Sequence, residues 1–230
     1  MTPTRGYRKK ERTRAQLIEA GLRILATKGQ GMTVQEVAAE AGVSGGSFYN
    51  YFPDRDGFME VLAEHYMLSL AAATAAEPNE DPARRFALAT MRVLRRAQDD
   101  HTWARAMLRL LSRPDFEVDL SRHLREDLEQ GLASGRFDVG AEDVVLDQVS
   151  GLIFMTVRRI VEGRAARNAP TKVVERGLQS LGVDPKEAAK ISTEIARKTK
   201  SDAAWTFDGG SRQSRSRGKQ RPRPLPHQDR

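Results

Sequence analysis

The residues with the clearest chemical signature lie between Thr33 and Phe52, where hydroxyl and carboxylate side chains are spaced to cap two short helices. Thr33 can accept a hydrogen bond at a helix start, and Glu36, three residues later, can return one to complete a capping box. Ser44 is a second candidate cap, and Gly42 before it suits a turn that needs a positive φ. Two short helices joined by a tight turn form the layout that places a helix in the DNA major groove. The segment therefore predicts a helix-turn-helix.

Apolar residues at helical spacing surround this segment and predict the elements that must support it. A helix over 10–28 precedes the motif, and a helix over 54–76 follows Pro53, which ends the second motif helix. Six further helices are predicted, over residues 82–97, 103–111, 116–128, 145–160, 171–181 and 184–198. Strand-like alternation never persists, so the predicted fold class is all-α, with about nine to ten helices.

Composition argues against several classes of function. The chain of 230 residues has no cysteine, which excludes disulfides, thiol catalysis and cysteine-ligated zinc. Its four histidines lie far apart, none in a metal-ligand spacing, and no glycine loop has the Lys-Ser/Thr pair that cradles phosphate. We therefore expect no enzyme, no cofactor and no metal. No apolar run approaches the roughly 20 residues of a membrane helix, and the N-terminus lacks the apolar stretch of a signal peptide. A cytoplasmic protein with no membrane partner is expected.

Positive charge is concentrated at the two ends of the chain. Residues 1–14 carry six basic side chains against one glutamate, and residues 208–230 carry seven against two aspartates. The formal net charge of the whole chain is +7, so the part between the ends is mildly acidic. Basic arms suit the phosphates of DNA. Two alternatives stay open: the ends are simply solvated, or they belong to an architectural protein that binds DNA without regard to sequence.

The motif resembles the DNA-binding motif of TetR-family transcriptional regulators. The resemblance covers about residues 13–62, roughly a fifth of the chain, and joins caps, turn, aromatic pair and a following helix start. The matching residues are Thr33, Glu36, Val37, Ala38, Ala41-Gly42-Val43-Ser44, Tyr49, Phe52-Pro53 and Arg55. One departure concerns Gly45-Gly46, which stand where family members often carry a polar or basic residue.

The resemblance implies a domain organisation and a set of partners. A basic N-terminal arm (1–14) and a three-helix DNA-binding domain with its connecting helix (10–76) would precede a helical ligand-binding and dimerisation domain (80–199) and a disordered basic tail (200–230). The implied protein is a repressor that binds a palindromic double-stranded DNA operator as a homodimer and is released by a small molecule of unknown identity. The dimer would be built from helices near 141–163 and 171–181.

The resemblance also implies roles for individual residues. The expected DNA-binding residues are Thr33, Ser44, Gly45, Gly46, Ser47, Tyr49, Asn50, Tyr51 and Arg55. Ser47 and Asn50 are the side chains best able to hydrogen-bond a base, and Thr33, Tyr49, Tyr51 and Arg55 match positions that touch phosphates. Phe48 and Phe52 are expected in the core. The expected ligand-pocket residues are Phe86, Met91, Trp103, Met107, Phe137, Phe154 and Met155, although ordinary core packing is an open alternative for each.

Overall fold

The computed structural model describes residues 5–75, 80–140 and 142–201, and within these ranges every regular element is a helix. In chain order the helices are α1 (Arg5–Lys28), α2 (Val34–Glu40), α3 (Gly45–Phe48), α4 (Arg55–Thr74), α5 (Pro82–Asp99), α6 (His101–Leu110), α7 (Pro114–Ala133), α8 (Glu142–Val161), α9 (Ala169–Ser180) and α10 (Pro185–Ser201). A single 3-10 turn, Gly29–Gly31, links α1 to the motif. These ten helices confirm the all-α prediction.

The start of α1 differs from the prediction. The helix begins at Arg5, so the basic segment expected as an arm over 1–14 is helical from Arg5 onward, and residues 1–4 lie outside the described part. Lys, Arg and Glu are good helix formers, and no proline interrupts the run from Arg5 to Lys28. The apolar face that indicated this helix begins only at Leu17, so periodicity gave no sign of the first turns.

Capping side chains fix the first residues of α4 and α5. Asp54 accepts a hydrogen bond from the Gly57 backbone N–H at 2.8 Å, which fixes the start of α4. Asp81 accepts one from the Arg84 N–H at 3.2 Å, and Pro82 occupies the first helical turn of α5, as expected. The boundary between the two predicted domains, at residues 76–79, and most of the predicted tail, at 202–230, lie outside the described residues.

One continuous hydrophobic core runs through both halves of the chain. It includes Leu17 of α1, Leu62 of α4, Met107 of α6 and Val157 of α8, all fully buried or nearly so. Helix α1 packs against both α2 and α6, so it links the motif to the helices that follow α4. The two parts of the chain share this one core. The proposed division into domains at 10–76 and 80–199 stays a prediction.

Candidate nucleic-acid interface and adjoining cavity

Thr33 and Glu36 form the capping box that fixes the start of α2. The Glu36 N–H donates to Thr33 Oγ1 at 3.3 Å, and the Thr33 N–H donates to Glu36 Oε2 at 3.0 Å. Glu36 also pairs with Lys28 at the end of α1. The Lys28 ammonium and then the Thr33 N–H lower the pKa of Glu36. The carboxylate therefore stays ionised and links α2 to α1. The Thr33 hydroxyl accepts the Glu36 N–H bond and can still donate its own proton to an acceptor outside the protein.

Ser44 performs the same task for α3. Its Oγ accepts a hydrogen bond from the Ser47 N–H at 3.2 Å and lies 2.8 Å from Ser47 Oγ. Gly42 in the preceding turn has φ 72°, which confirms the positive φ predicted from its place in the motif. Val43 is half-buried against the core at the corner between the helices. The hydroxyl groups of Ser44 and Ser47 thus lie together at the N-terminus of α3.

An aromatic cluster packs against the buried side of α3. Phe48 and Phe52 are buried, which confirms their expected place in the core. The Phe58 ring of α4 lies 5.0 Å from Phe48 and 4.6 Å from Phe52, measured between ring centroids, and meets the first at 77°. Such edge-to-face contacts fix the relative orientation of rings. The Arg14 guanidinium lies over the Phe52 ring at 5.5 Å, so α1 closes the cluster.

The opposite face of α3 is open to solvent. Ser44, Gly46, Tyr49 and Asn50 are exposed, and 55% of Tyr49 is accessible. Gly45, Ser47 and Tyr51 are half-exposed. A Cβ added at Gly45 or Gly46 would meet nothing within 4 Å, so this part of the helix has no protein neighbour over it among the described residues. The expectation that a short helix near Ser44 faces outward is confirmed.

The helix itself is shorter than the sequence suggested. It ends at Phe48, and Tyr49, Asn50 and Tyr51 lie in the turn that follows, before Pro53. Two consecutive glycines at its start explain the short length, because each is a poor helix former. Asn50 is therefore presented from a turn, not from a helix.

Arg55 is tied into the protein more closely than the sequence indicated. Its Nε donates to the Met32 carbonyl at 3.0 Å, its Nη2 donates to the Gln30 carbonyl, and its Nη1 lies 3.1 Å from Asp56 Oδ1. The guanidinium at the start of α4 thus holds the 3-10 turn that precedes Thr33. Contact with phosphate stays a prediction, and the structure gives Arg55 a positioning role that sequence spacing did not reveal.

A basic surface on the first turns of α1 was predicted as an arm, not as a helix. The exposed basic residues there are Arg5, Arg8, Lys9, Lys10 and Arg12. Farther along α1, Arg23 pairs with Glu40 of α2 at 2.7 Å. The basic residues of the first turns are exposed and can contact a partner such as DNA, whereas Arg23 is paired with Glu40 within the protein.

A cavity of about 270 Å³ lies between α4, α5, α6, α7 and α8. Met107 and Phe154 line it, as predicted for a pocket. Its other lining residues are Met67, Leu70, Ala71, Thr74, Ala75, Arg85, Ala89, Thr90, Val93, Leu124, Glu126, Asp127 and Ile153. Sequence reasoning missed the contribution of α4, because alanine and methionine in an apolar run give no sign of which neighbour they face.

The other five expected pocket residues lie elsewhere. Phe86, Met91, Trp103 and Phe137 are buried in the core and do not line this cavity. Met155 is 54% exposed and faces away from it, into a shallow groove with Gln148 of α8 and Arg176 of α9. These five residues do not border this cavity, because packing between helices, and not residue type, decides which side chains line it; their contact with a ligand stays a prediction.

The outer face of α8 carries two exposed large apolar side chains, Val144 and Met155. Arg158 of α8 pairs at 3.1 Å with Glu162, which directly follows the helix, and Arg164 pairs with the same carboxylate. The Arg164 and Arg158 side chains lower the pKa of Glu162, in that order. Glu162 thus has two arginine partners within its own chain.

Two other features are absent from the described residues. No group of three or more metal-ligating side chains is found among them. Nor does any of the described helices combine the length and apolarity needed to cross a bilayer.

Comparison with known families gives the same interpretation as the motif. The family of bacterial regulatory proteins named after tetR matches residues 17–62, and the tetracyclin repressor-like C-terminal domain matches residues 81–197. The second match alone covers half of the chain. The chain belongs to the TetR family. Its capped, outward-facing α3 is thus the second helix of a TetR-type helix-turn-helix.

The individual relatives match this chain over different shares of its length. The HTH-type transcriptional regulator BetI of Burkholderia thailandensis is 43% identical over 67 residues, which are 29% of this chain and 34% of the relative. The chain therefore matches about a third of the length of such curated relatives. A crystal structure of RolR with resorcinol is 26% identical, with a TM-score of 0.54 over 81% of this chain and 95% of that one.

A structure of a TetR-family regulator from Haemophilus influenzae has a TM-score of 0.61 at 17% identity, covering 75% of this chain and 98% of that one. At that identity it shows the fold alone.

Proposed function

We propose that this protein is a sequence-specific transcriptional repressor that binds a palindromic DNA operator as a homodimer and is released by a small molecule. The observation that carries the proposal is the open face of α3, capped by Ser44 and supported by Phe48, with no protein neighbour over Gly45 or Gly46. A short helix presented in this way can enter a major groove. The work would be done in the cytoplasm, where a bacterial chromosome lies.

In this proposal the residues of the open face divide between bases and phosphates. Ser47 and Asn50 hydrogen-bond base edges, and Asn can engage adenine at two points. Thr33, Tyr49 and Tyr51 contact phosphates through hydroxyl groups, which position the helix without reading sequence. Ser44, Gly45 and Gly46 let the backbone at the helix start approach the groove. Arg55 acts mainly by fixing the turn before Thr33.

The basic residues at the start of α1 supply affinity that does not depend on sequence. Their side chains are exposed, and cations that neutralise phosphates release counterions from DNA. An architectural protein would bind through such charges alone. The capped motif has no purpose in that alternative, and the relatives described above are regulators.

The exposed apolar side chains of α8 support the homodimer. Val144 and Met155 are large apolar side chains left open on a face next to the groove with Arg176. A second copy of the chain would cover them, and two-fold symmetry would space two reading helices for the half-sites of a palindrome. No catalytic residue, cofactor or metal enters the proposal.

The proposal is tested by selecting bound sequences from a random DNA pool and then footprinting the selected site. A palindromic consensus with half-sites about one helical turn apart supports it. Asn50→Ala should lower affinity for the selected site far more than for random DNA. Asn168→Ala is the matched control, because Asn168 is also exposed but lies before α9, away from the motif. Binding without a consensus, or equal effects of the two substitutions, would reject the proposal.

A further inference from the structure

One buried hydroxyl group on the cavity wall takes no part in the hydrogen bonds of the fold. Thr90 of α5 is only 3% exposed, and it lines the cavity. Its Oγ1 forms no hydrogen bond with any residue that the structure describes. The atom is not completely enclosed by protein, and the cavity is the open space that Thr90 borders. A molecule in the cavity can therefore reach this hydroxyl.

The other buried hydroxyl groups are used differently. Serine and threonine side chains within a helix commonly bond to a backbone carbonyl one turn earlier. Thr156, Ser192 and Thr199, which are also buried, each donate to such a carbonyl, at 2.7, 3.0 and 2.8 Å. Among the buried hydroxyl-bearing residues in the described ranges, Thr90 alone leaves its hydroxyl without a partner.

An unpaired hydroxyl at a buried position lowers the stability of the folded chain, because water solvates the same group in the unfolded chain. Valine, which is also β-branched and of nearly the same size, would avoid this loss at position 90. Residues that break a rule of stability in this way are expected at functional sites. The position of Thr90 on the cavity wall therefore points to contact with a guest.

Most of the wall around this hydroxyl is hydrocarbon. Leu70 of α4, Val93 of α5, Met107 of α6 and Ile153 of α8 all border the cavity. Charged side chains also reach the wall from α5 and α7. Small-molecule sites typically combine a mainly apolar lining with a few polar groups that fix the orientation of the ligand. The lining of this cavity has that composition.

A threonine hydroxyl can donate one hydrogen bond and accept others, so it can pair with a hydroxyl or a carbonyl group. We propose that Thr90 orients the effector: the effector is a mainly apolar molecule, and its hydroxyl or carbonyl oxygen forms a hydrogen bond with Thr90 Oγ1. The inference rests on the proposed function in treating this cavity as the effector site.

Two probes of nearly equal size test the inference, 4-propylphenol and 4-propyltoluene, in which a methyl group replaces the hydroxyl. Calorimetric titration of the full-length protein measures their binding without DNA. Thr90→Val should weaken the binding of 4-propylphenol about fivefold, the usual effect of losing one neutral hydrogen bond. The same substitution should leave the affinity for 4-propyltoluene unchanged. Comparing both probes in both proteins cancels the difference in their hydration.

Thr74→Val is the matched control. Thr74 also lines the cavity, but its hydroxyl already donates to the Leu70 carbonyl at 3.0 Å, so the ratio of the two affinities should not change. Thermal melting without probe gives a second measurement. Thr90→Val should be at least as stable as the wild type, whereas Thr156→Val, which loses a hydrogen bond, should melt at a lower temperature.

The proposal is overturned if neither probe binds, if Thr90→Val weakens both probes equally, or if Thr74→Val has the same effect as Thr90→Val. A lower melting temperature of Thr90→Val would also overturn it, because the hydroxyl would then stabilise the fold itself. Failure of the proposed function would instead appear as absence of a DNA consensus, with the preference for 4-propylphenol intact. The two failures are therefore distinguishable.

Discussion

Replacing Arg55 by alanine should loosen the turn that positions the motif. Its guanidinium donates to the carbonyl groups of Gln30 and Met32, which flank the end of the 3-10 turn just before the Thr33 cap. Alanine leaves both carbonyls without this donor and releases the start of α4 from the turn. The helix-turn-helix would keep its own caps but lose its fixed placement on α4.

The magnitude follows from the two hydrogen bonds and their exposure. A hydrogen bond to a charged group contributes about 1.5–3 kcal/mol when water is excluded. The Arg55 side chain is 37% exposed, so water can replace part of each bond. We therefore expect Arg55→Ala to lower the free energy of unfolding by about 1–3 kcal/mol in total. Arg55→Lys should lose about half of that, because one ammonium cannot reproduce the fork.

Urea denaturation measures the stability, and fluorescence anisotropy at several salt concentrations measures DNA binding. Operator affinity should fall in Arg55→Ala while the slope of log affinity against log salt stays unchanged. Arg23→Ala is the control, since Arg23 forms an exposed pair with Glu40 and should cost less than about 1 kcal/mol. A variant as stable as the wild type, with a slope reduced by about 0.9 per protomer, would show that Arg55 contacts phosphate and refute the positioning role.

Four further changes have defined outcomes. Ser44→Ala removes the cap of α3, so urea denaturation should show a loss of about 1 kcal/mol and anisotropy a weaker operator complex. Gly42→Ala forces a β-carbon into φ 72°, which should cost about 1–2 kcal/mol in the same denaturation experiment. Met155→Arg places charge on the exposed face of α8, so sedimentation should show monomers while circular dichroism shows an unchanged helix content. Burial and then the Arg14 charge lower the pKa of His65 below its ordinary 6.5, so the unfolded chain binds the proton first; stability should fall as the pH drops below 6.5, and His65→Gln should flatten the fall.

Short-range chemistry made much of the motif predictable. Thr33 and Ser44 bond to backbone groups within three residues of themselves, and Gly42 adopts the positive φ that its turn requires. Such interactions depend on few neighbours, so residue type and spacing are enough to infer them. Phe48 and Phe52 were also predictable, because large aromatic residues in a motif otherwise rich in small and polar residues must bury their rings.

The pocket was predictable only in part, because it depends on packing between distant helices. Phe154 and Met155 are neighbours in sequence, yet one lines the cavity and the other is exposed, since successive residues of a helix point about 100° apart. Composition alone cannot say which of the two faces inward. Arg55 shows the same limit: its partners Gln30 and Met32 lie 25 and 23 residues away in sequence.

Two helices join the cavity wall to the same 3-10 turn. Helix α4 spans 20 residues, about 30 Å, with Leu70 in the cavity wall near one end and Arg55 on the turn at the other. Helix α6 contributes Met107 to the wall, and a β-carbon on Gly29 would lie only 3.2 Å from the Arg109 side chain of the same helix. A guest that displaces either helix therefore acts on the turn before Thr33. Release of DNA further requires that the guest prefer the displaced arrangement, because a molecule that binds both arrangements equally would fill the cavity and leave operator affinity unchanged.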